Sequence, residues 1–543
     1  MKRKVLALML ALAMTFSIGC GGKSADAGKS NVTNKEESTE KKEVAEKNEE
    51  DGVFTMAIDY MPESLRPVTG SDSFTVMVRP IYYPMYYRTG NGIEYYLADK
   101  VEISEDKKTY TIHINEDANW SDGNPVVVDD VLFTIKYEGL ASGGSSYLDS
   151  VNGKPITFNK KDDKTLEIVL PEPHALYDNY IADLLPMPSH PFDGDPEKVD
   201  NSGYFNSPDM VTSGPFKVEQ INDDSFVYVA RDDFFQGNPQ VKKVVLRTLG
   251  AGSSQRVAFE NGELSYMRVT TAEELEKYKA QSDKYNITSV TEARLNYLQF
   301  NPNGAVMSTL SEEARQAIML ALNGQEIVDA AYGSDELAVP ANSVLTPEQY
   351  QYKEDAPGYT QDLKKATELA ESSGLKGKTL TYIYNADRAN MEAIATVVQQ
   401  QLAQIGVNVS VEGLDSPSFF ARFWATGRGN GLEDSWDLGT NGWDSERGSS
   451  YQAHINLNSG LKEKNAWGWS KELGEKVIKA DASSDEEEAQ ELWNQIQEDF
   501  VKECWAFPLT YTNFVMVSQK NVSGLDGSEV VPEFVNWTEI KVD

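Results

Sequence analysis

The chain has 543 residues and carries 85 Asp and Glu against 50 Lys and Arg, a formal charge of −35. That balance makes nucleic acid a poor partner, because phosphate binding needs a basic face; it reads first as a solvated surface, with cationic ligands the lesser reading. With Cys20 and Cys504 its only cysteines, removal or lipidation of the first leaves no intramolecular disulfide.

Met1 to Cys20 reads as a lipoprotein export signal. Lys2, Arg3 and Lys4 form a positive start, Val5 to Ile18 an apolar run, and Ser17, Ile18, Gly19 and Cys20 a lipobox. A transmembrane helix is disfavoured, since roughly 14 apolar residues at about 1.5 Å each reach about 21 Å against a hydrocarbon core of ~30 Å. The expectation is cleavage before Cys20, lipid attachment there, and retention on the outer face of a bacterial cytoplasmic membrane. Gly21 to Gly52 lacks aromatic residues and is crowded with Lys, Glu, Ser and Asn, a tether that cannot bury enough apolar surface to fold. From Val53 onward the chain is long enough for two or three lobes with their own cores.

Strands are predicted at Tyr110 to Ile114, Leu166 to Leu170, Phe226 to Ala230 and Val244 to Leu249. Thr309 and Glu312 fit a capping box, ahead of an apolar stripe at Ala314, Ala317, Ile318, Ala321 and Leu322. Leu363, Ala366 and Ala370 before Gly374 mark a second helix. Met391, Ile394, Ala395, Val398, Leu402 and Ile405 mark a third, ended by Gly406 and followed by Val407, Val409 and Val411 in strand alternation. Leu492, Trp493, Ile496 and Phe500 mark a fourth. Helices feeding directly into strands predict α/β lobes. Cys504, next to Trp505 in an apolar stretch, reads as a buried hydrophobe.

Catalytic signatures are missing. His113, His174, His190 and His454 are not spaced as a zinc pair on a helix turn. There is no Gly-x-Ser-x-Gly elbow. Gly377, Lys378 and Thr379 fail as a phosphate loop because Ser372 stands where its first glycine belongs, and Gly427, Gly429 and Gly431 miss the dinucleotide fingerprint at Leu432. Paired carboxylates carry no information in so acidic a chain. Nine Trp and 26 Tyr exceed what cores usually require; most belong to the core, and the surplus suits a cleft that offers apolar area and hydrogen bonds together.

An ordered series of motifs resembles the family 5 extracellular solute-binding proteins, the oligopeptide, dipeptide and nickel group serving ABC importers. Asp59, Leu65 and Pro67 are similar to its opening, and Tyr95, Leu97 and Ala98 to its next step. Trp120, Ser121, Asp122, Gly123 and Pro125, leading to Asp130, Val131 and Phe133, resemble its most specific signature. Ser213, Gly214, Pro215 and Phe216 resemble its Gly-Thr-Gly-Pro-Tyr turn, followed by Arg231 and Phe235, with Asp232 replacing the usual Asn. Asn261 to Leu264, then Tyr297, Phe300 and Asn301, then Arg315, Ala317, Ala321 and Ile327 continue the likeness. Gln401 to Val407 and Pro508, Leu509 and Tyr511 complete it.

The resemblance implies a periplasmic-binding-protein-like type II α/β fold of the cluster C kind, two lobes around a cleft plus an extra domain. Lobe I would take residues 53–79, 205–292 and 501–543, the extra domain 80–204 and lobe II 293–500. It implies no catalysis, no cofactor and no metal, and a monomer that captures peptides by lobe closure for an ABC permease and its ATPase subunits. Gly442 and Trp443 followed by Glu446 resemble the pair and acid that hold a peptide's α-amino group, with Asp444 an alternative acid and Trp443 a flanking ring. Arg447 to Tyr451 departs from the family pattern, which leaves room for an oligosaccharide. Tyr147 falls where peptide binders often place a cleft tyrosine, although a core or surface role is the stronger reading. Arg428, in a Gly-rich loop, could meet a ligand carboxylate or stay solvated. A sensor without transport and a secreted hydrolase are the other readings.

Overall fold

The computed structural model describes residues 52–58, 60–67, 76–89, 92–141, 146–151, 153–174, 177–250, 252–347, 349, 351–425, 430–444, 457–461, 465–483, 485–527 and 534–543. They build three larger sheets. The first pairs Val53–Ile58 parallel with Lys243–Thr248 and runs on antiparallel through Ser225–Ala230 to Phe216–Ile221. Alternate residues such as Phe54, Met56 and Ile58, or Val244 and Leu246, are buried, because a strand turns successive side chains to opposite faces. The second sheet is antiparallel, Ala98–Ile103, Thr109–Ile114, Thr165–Val169 and Thr157–Lys160 in spatial order. Both sheets and the helix Val128–Ala141 contribute to one continuous apolar core.

The motif residues meet where these two sheets join. Asp130 is buried; its Oδ2 accepts from Trp120 Nε1 and Val127 N, both at 3.0 Å, and its Oδ1 from Ser189 N at 2.8 Å and Ser189 Oγ at 2.7 Å. The bond back to Val127 is the return half of a capping box for the helix that follows. Arg231 is equally buried and donates to the carbonyls of Thr212 and Gly214 at 3.1 Å and Asn119 at 3.2 Å, while Asp233 takes its Nε at 3.1 Å. A guanidinium fork is the side chain that can satisfy so many fixed acceptors at once.

The third sheet has seven strands, in the order Tyr266–Val269, Ala506–Gln519, Tyr285–Phe300, Leu438–Asp444, Thr379–Asn385 and Asn408–Leu414, with Ala338–Pro340 also paired to Ala506–Gln519. The helix Met391–Gln404 carries the chain between the parallel neighbours Thr379–Asn385 and Asn408–Leu414, the connection that parallel strands require. Gly406 then turns at φ 80°, a left-handed cap that glycine adopts without Cβ strain. The long strands Tyr285–Phe300 and Ala506–Gln519 keep register from Tyr285↔Gln519 to Thr291↔Asn513 and resume at Leu295↔Tyr511. Residues 292 to 294 therefore stand opposite Thr512 alone, and an insertion of this kind bends a strand pair. Ala506–Gln519 supplies Phe514 and Met516 to the first core, Phe507 and Leu509 to a second, and Tyr511 to a third.

One expected cap moves. The helix Glu312–Ala321 is capped by Ser311, whose side chain accepts from Ala314 N, while Thr309 ends a short 3₁₀ turn. Ser311 is the residue with extended backbone directly before the first helical turn, the geometry a cap needs. Cys504 is buried at φ 57° beyond the helix Glu486–Glu503, its thiol donating to Val501 O at 3.1 Å and pushed up in pKa, chiefly by burial.

Candidate functional site

A cavity of about 330 Å³ opens at the register skip. Its walls come from distant segments: Ala57 and Ile58 at the end of the first strand, Tyr266, Arg268 and Thr270, then Glu292, Arg294 and Asn296 in and beside the skip, Tyr332, Arg388 to Met391, and Thr512. Residues that bend the long strands are thus also residues that face the cavity.

Arg268 and Glu292 form a two-pronged pair, Nη1 to Oε1 at 3.0 Å and Nη2 to Oε2 at 2.6 Å, and Thr512 Oγ1 donates to the same Oε2 at 2.7 Å. The Arg268 guanidinium also lies 4.6 Å from the centre of the Phe514 ring. This fork fastens three strands of the sheet across the skip. Buried Asn296 donates to Tyr332 OH at 3.2 Å and Thr510 Oγ1 at 3.1 Å and accepts from Arg294 Nε at 3.4 Å. On the far wall, Arg388 follows the strand Thr379–Asn385 with its guanidinium carbon 5.8 Å from the Phe420 ring centre. Asn390, in the left-handed region at φ 68°, donates from Nδ2 to Thr270 O at 3.2 Å, so a side chain on one wall is tied to the backbone of another. Burial keeps the Tyr266 hydroxyl protonated well above its ordinary pKa against the opposing pull of Arg268, and burial does the same at Tyr332. Both enter the site as neutral hydrogen-bonding groups.

The lining carries Arg268, Arg294 and Arg388 against Glu292 among the described residues. Its sign is opposite to that of the −35 chain, so the lesser reading of the acidity, a preference for cationic ligands, does not extend to these walls. The charge of the whole surface is a sum over solvated faces, whereas a cavity is set by the few groups that face it.

Of the residues expected from the sequence, Trp443 and Asp444 end the strand Leu438–Asp444 opposite Leu295 and Arg294; their side chains lie outside the described residues, as do Glu446, Arg428 and Cys20. Tyr147 is half-buried with its ring centre 4.5 Å from that of Tyr180, against the core of the first two sheets, and is not among the cavity's lining. Arg268, Arg294 and Arg388 were not singled out by sequence reasoning. The signal available was a pair of charges, Glu292 and Arg294, ahead of the apolar alternation Leu295, Tyr297, Leu298 and Phe300.

Comparison with known proteins agrees with this architecture. Residues 92–463 match the model of the bacterial extracellular solute-binding proteins, family 5. ABC transporter peptide-binding proteins of Brucella species share 27% identity over 329 residues, 60% of this chain and 60% of theirs, so the match spans less than two thirds of their length. The dipeptide-binding protein DppE of Bacillus subtilis (strain 168) is 26% identical over 469 residues, 79% of this chain and 80% of that one. The crystal structure of the ABC transporter substrate-binding protein CtaP from Listeria monocytogenes superposes with a TM-score of 0.79 at 26% identity, covering 91% of this chain and 100% of that one. With the family model spanning most of the chain and residues of the first and third sheets lining the cavity at the bent strand pair, the protein belongs to the family 5 bacterial extracellular solute-binding proteins and has their type II periplasmic-binding α/β fold.

Proposed function

We propose that this protein captures short peptides in the cleft and presents them to an ABC importer. The observation that carries the reading is the coincidence of hinge and site: Glu292, Arg294 and Thr512 both form the register skip and face the cavity. A ligand held there acts directly on the strands that would join two lobes, and its differential affinity for the closed arrangement shifts the population toward it. In this reading residues 53–79, 205–292 and 501–543 move as one lobe with the 80–204 domain, and 293–500 as the other. Arg388, Asn390 and Asn296 offer donors suited to the carboxylate and carbonyl oxygens of a peptide. The cavity volume, about 330 Å³, sits near the lower end of ligand pockets, roughly 300 to 1,000 Å³, which favours short peptides. The names of the Brucella and Bacillus relatives support peptides as the ligand class. The family binds solutes rather than transforming them, so ATP hydrolysis falls to partner subunits.

Native mass spectrometry of the chain purified without denaturation tests the reading. Co-purifying short peptides, released unchanged, are the expected result; a bound sugar, or hydrolysed peptide products, would overturn it. The anchor is tested separately. Cys20→Ala should move the protein from the membrane to the soluble fraction of fractionated cells, and a variant still in the membrane would remove the lipid from the proposal.

A further inference from the structure

The hairpin between Ala98–Ile103 and Thr109–Ile114 is built tightly at its tip. Ser104 N donates to Thr109 O at 2.9 Å and Lys107 N to Ser104 O at 2.8 Å, while Asp106 Oδ1 accepts from Ser104 Oγ at 2.6 Å and from Lys108 N at 3.3 Å. Lys107 sits in the left-handed region at φ 53°, a conformation that glycine or asparagine adopts at less cost. An outlier of this kind points to a side chain used elsewhere. Its Nζ reaches across 376 residues of sequence and donates to Ser483 O at 3.2 Å. Ser483 caps the C-terminal end of the helix Lys471–Ala482, where backbone oxygens lack partners within the helix and the helix dipole is negative, so an ammonium is a favoured donor. The bond ties the 80–204 domain to the 293–500 stretch through elements outside the bent strand pair. That stretch is also gripped beside the cavity, where Ala272 N donates to Tyr332 O at 3.1 Å and Asn390 Nδ2 to Thr270 O at 3.2 Å.

Resting on the proposed division into lobes, with 80–204 travelling with the first, we propose that Lys107 is a latch: its bond to the end of the helix Lys471–Ala482 forms when the cleft walls meet and breaks when they part. A ligand that needs the closed arrangement gains what the latch adds to it and leaves more slowly.

Amide hydrogen exchange of the full chain, without added ligand, tests the latch, because the Ala272 amide bonds across the proposed lobes and is released when they part. Lys107→Met keeps the same demand on the backbone and removes the ammonium. It should speed exchange at Ala272 about threefold to tenfold. Lys107→Gly should do the same even though it suits the left-handed backbone, and Lys107→Arg should return exchange toward the native rate. Faster exchange confined to residues 98–114 and 471–483 overturns the latch, because Lys107 then ties its neighbours without holding the walls. A native rate at Ala272 in Lys107→Gly overturns it as well, since the ammonium is then not the cause. Asn390→Gly keeps the lobe reading separable: it removes the wall-to-wall bond to Thr270 while suiting the backbone at φ 68°. If Asn390→Gly speeds exchange at Ala272 and Lys107→Met does not, the latch alone falls. If neither variant does, the walls do not part and the division into lobes falls together with the latch.

Discussion

Asp130→Ala should cost the folded chain about 3 to 5 kcal/mol, measured by urea unfolding. The carboxylate accepts four hydrogen bonds from Trp120, Val127 and Ser189. Removing it strands the buried Trp120 indole N–H and leaves the part-buried donors of Val127 and Ser189 short of an acceptor, so the desolvation cost that these bonds had offset is exposed. The same carboxylate joins the Trp120 loop, the start of the helix Val128–Ala141 and the segment at Ser189, so three pieces of chain loosen together. Asp130→Asn should fall between the two, because one oxygen survives while the new amide faces donors. An Asp130→Ala protein within about 0.5 kcal/mol of the native value would mean that these donors find other acceptors and that the junction is held elsewhere.

Gly214→Ala should destabilise by about 3 kcal/mol or more, toward the severe end for overpacking. A Cβ at 214 would lie 2.8 Å from the carbonyl carbon of Ile81 and from Pro80 O, and 3.0 Å from Tyr82 N. All three are backbone atoms, so no rotamer change relieves the clash. The neighbours cannot retreat easily, because Gly214 N donates to Ile81 O at 2.9 Å and Phe216 N to Pro80 O at 3.1 Å, and Arg231 grips the Gly214 carbonyl from behind. Pulse proteolysis of the variant beside the native chain reads the effect. Equal resistance to cleavage would show that the two segments can part without loss.

The sequence made much of this architecture legible where a pattern is local. Residue pattern placed the strands at Thr109–Ile114 and Ser225–Ala230 to within a residue, and the stripe from Met391 to Leu402 marked a helix with those residues buried. The signature around Trp120 and Asp130 was visible as a motif, but not as a carboxylate receiving four donors, because one of its partners, Ser189, lies far along the chain. The cleft was the least legible part. Arg268, Arg294 and Arg388 sit on three separate segments that only strand pairing brings to one cavity, and no spacing rule links them. Sequence reasoning favoured loop residues near the Gly-Trp pair instead, since a motif directs attention to its own neighbourhood.

The strand Ala506–Gln519 sets an order on assembly. It lies between Tyr266–Val269 and Tyr285–Phe300 and has a place in all three apolar cores, yet the ribosome makes it after nearly every other element. Until it emerges, Tyr266–Val269 lacks its sheet partner and Tyr285–Phe300 has one edge open, so neither the large sheet nor the cores can close. A nascent chain of this protein therefore stays incompletely folded through most of its synthesis, the state in which a polypeptide can still be threaded through a narrow translocation pore.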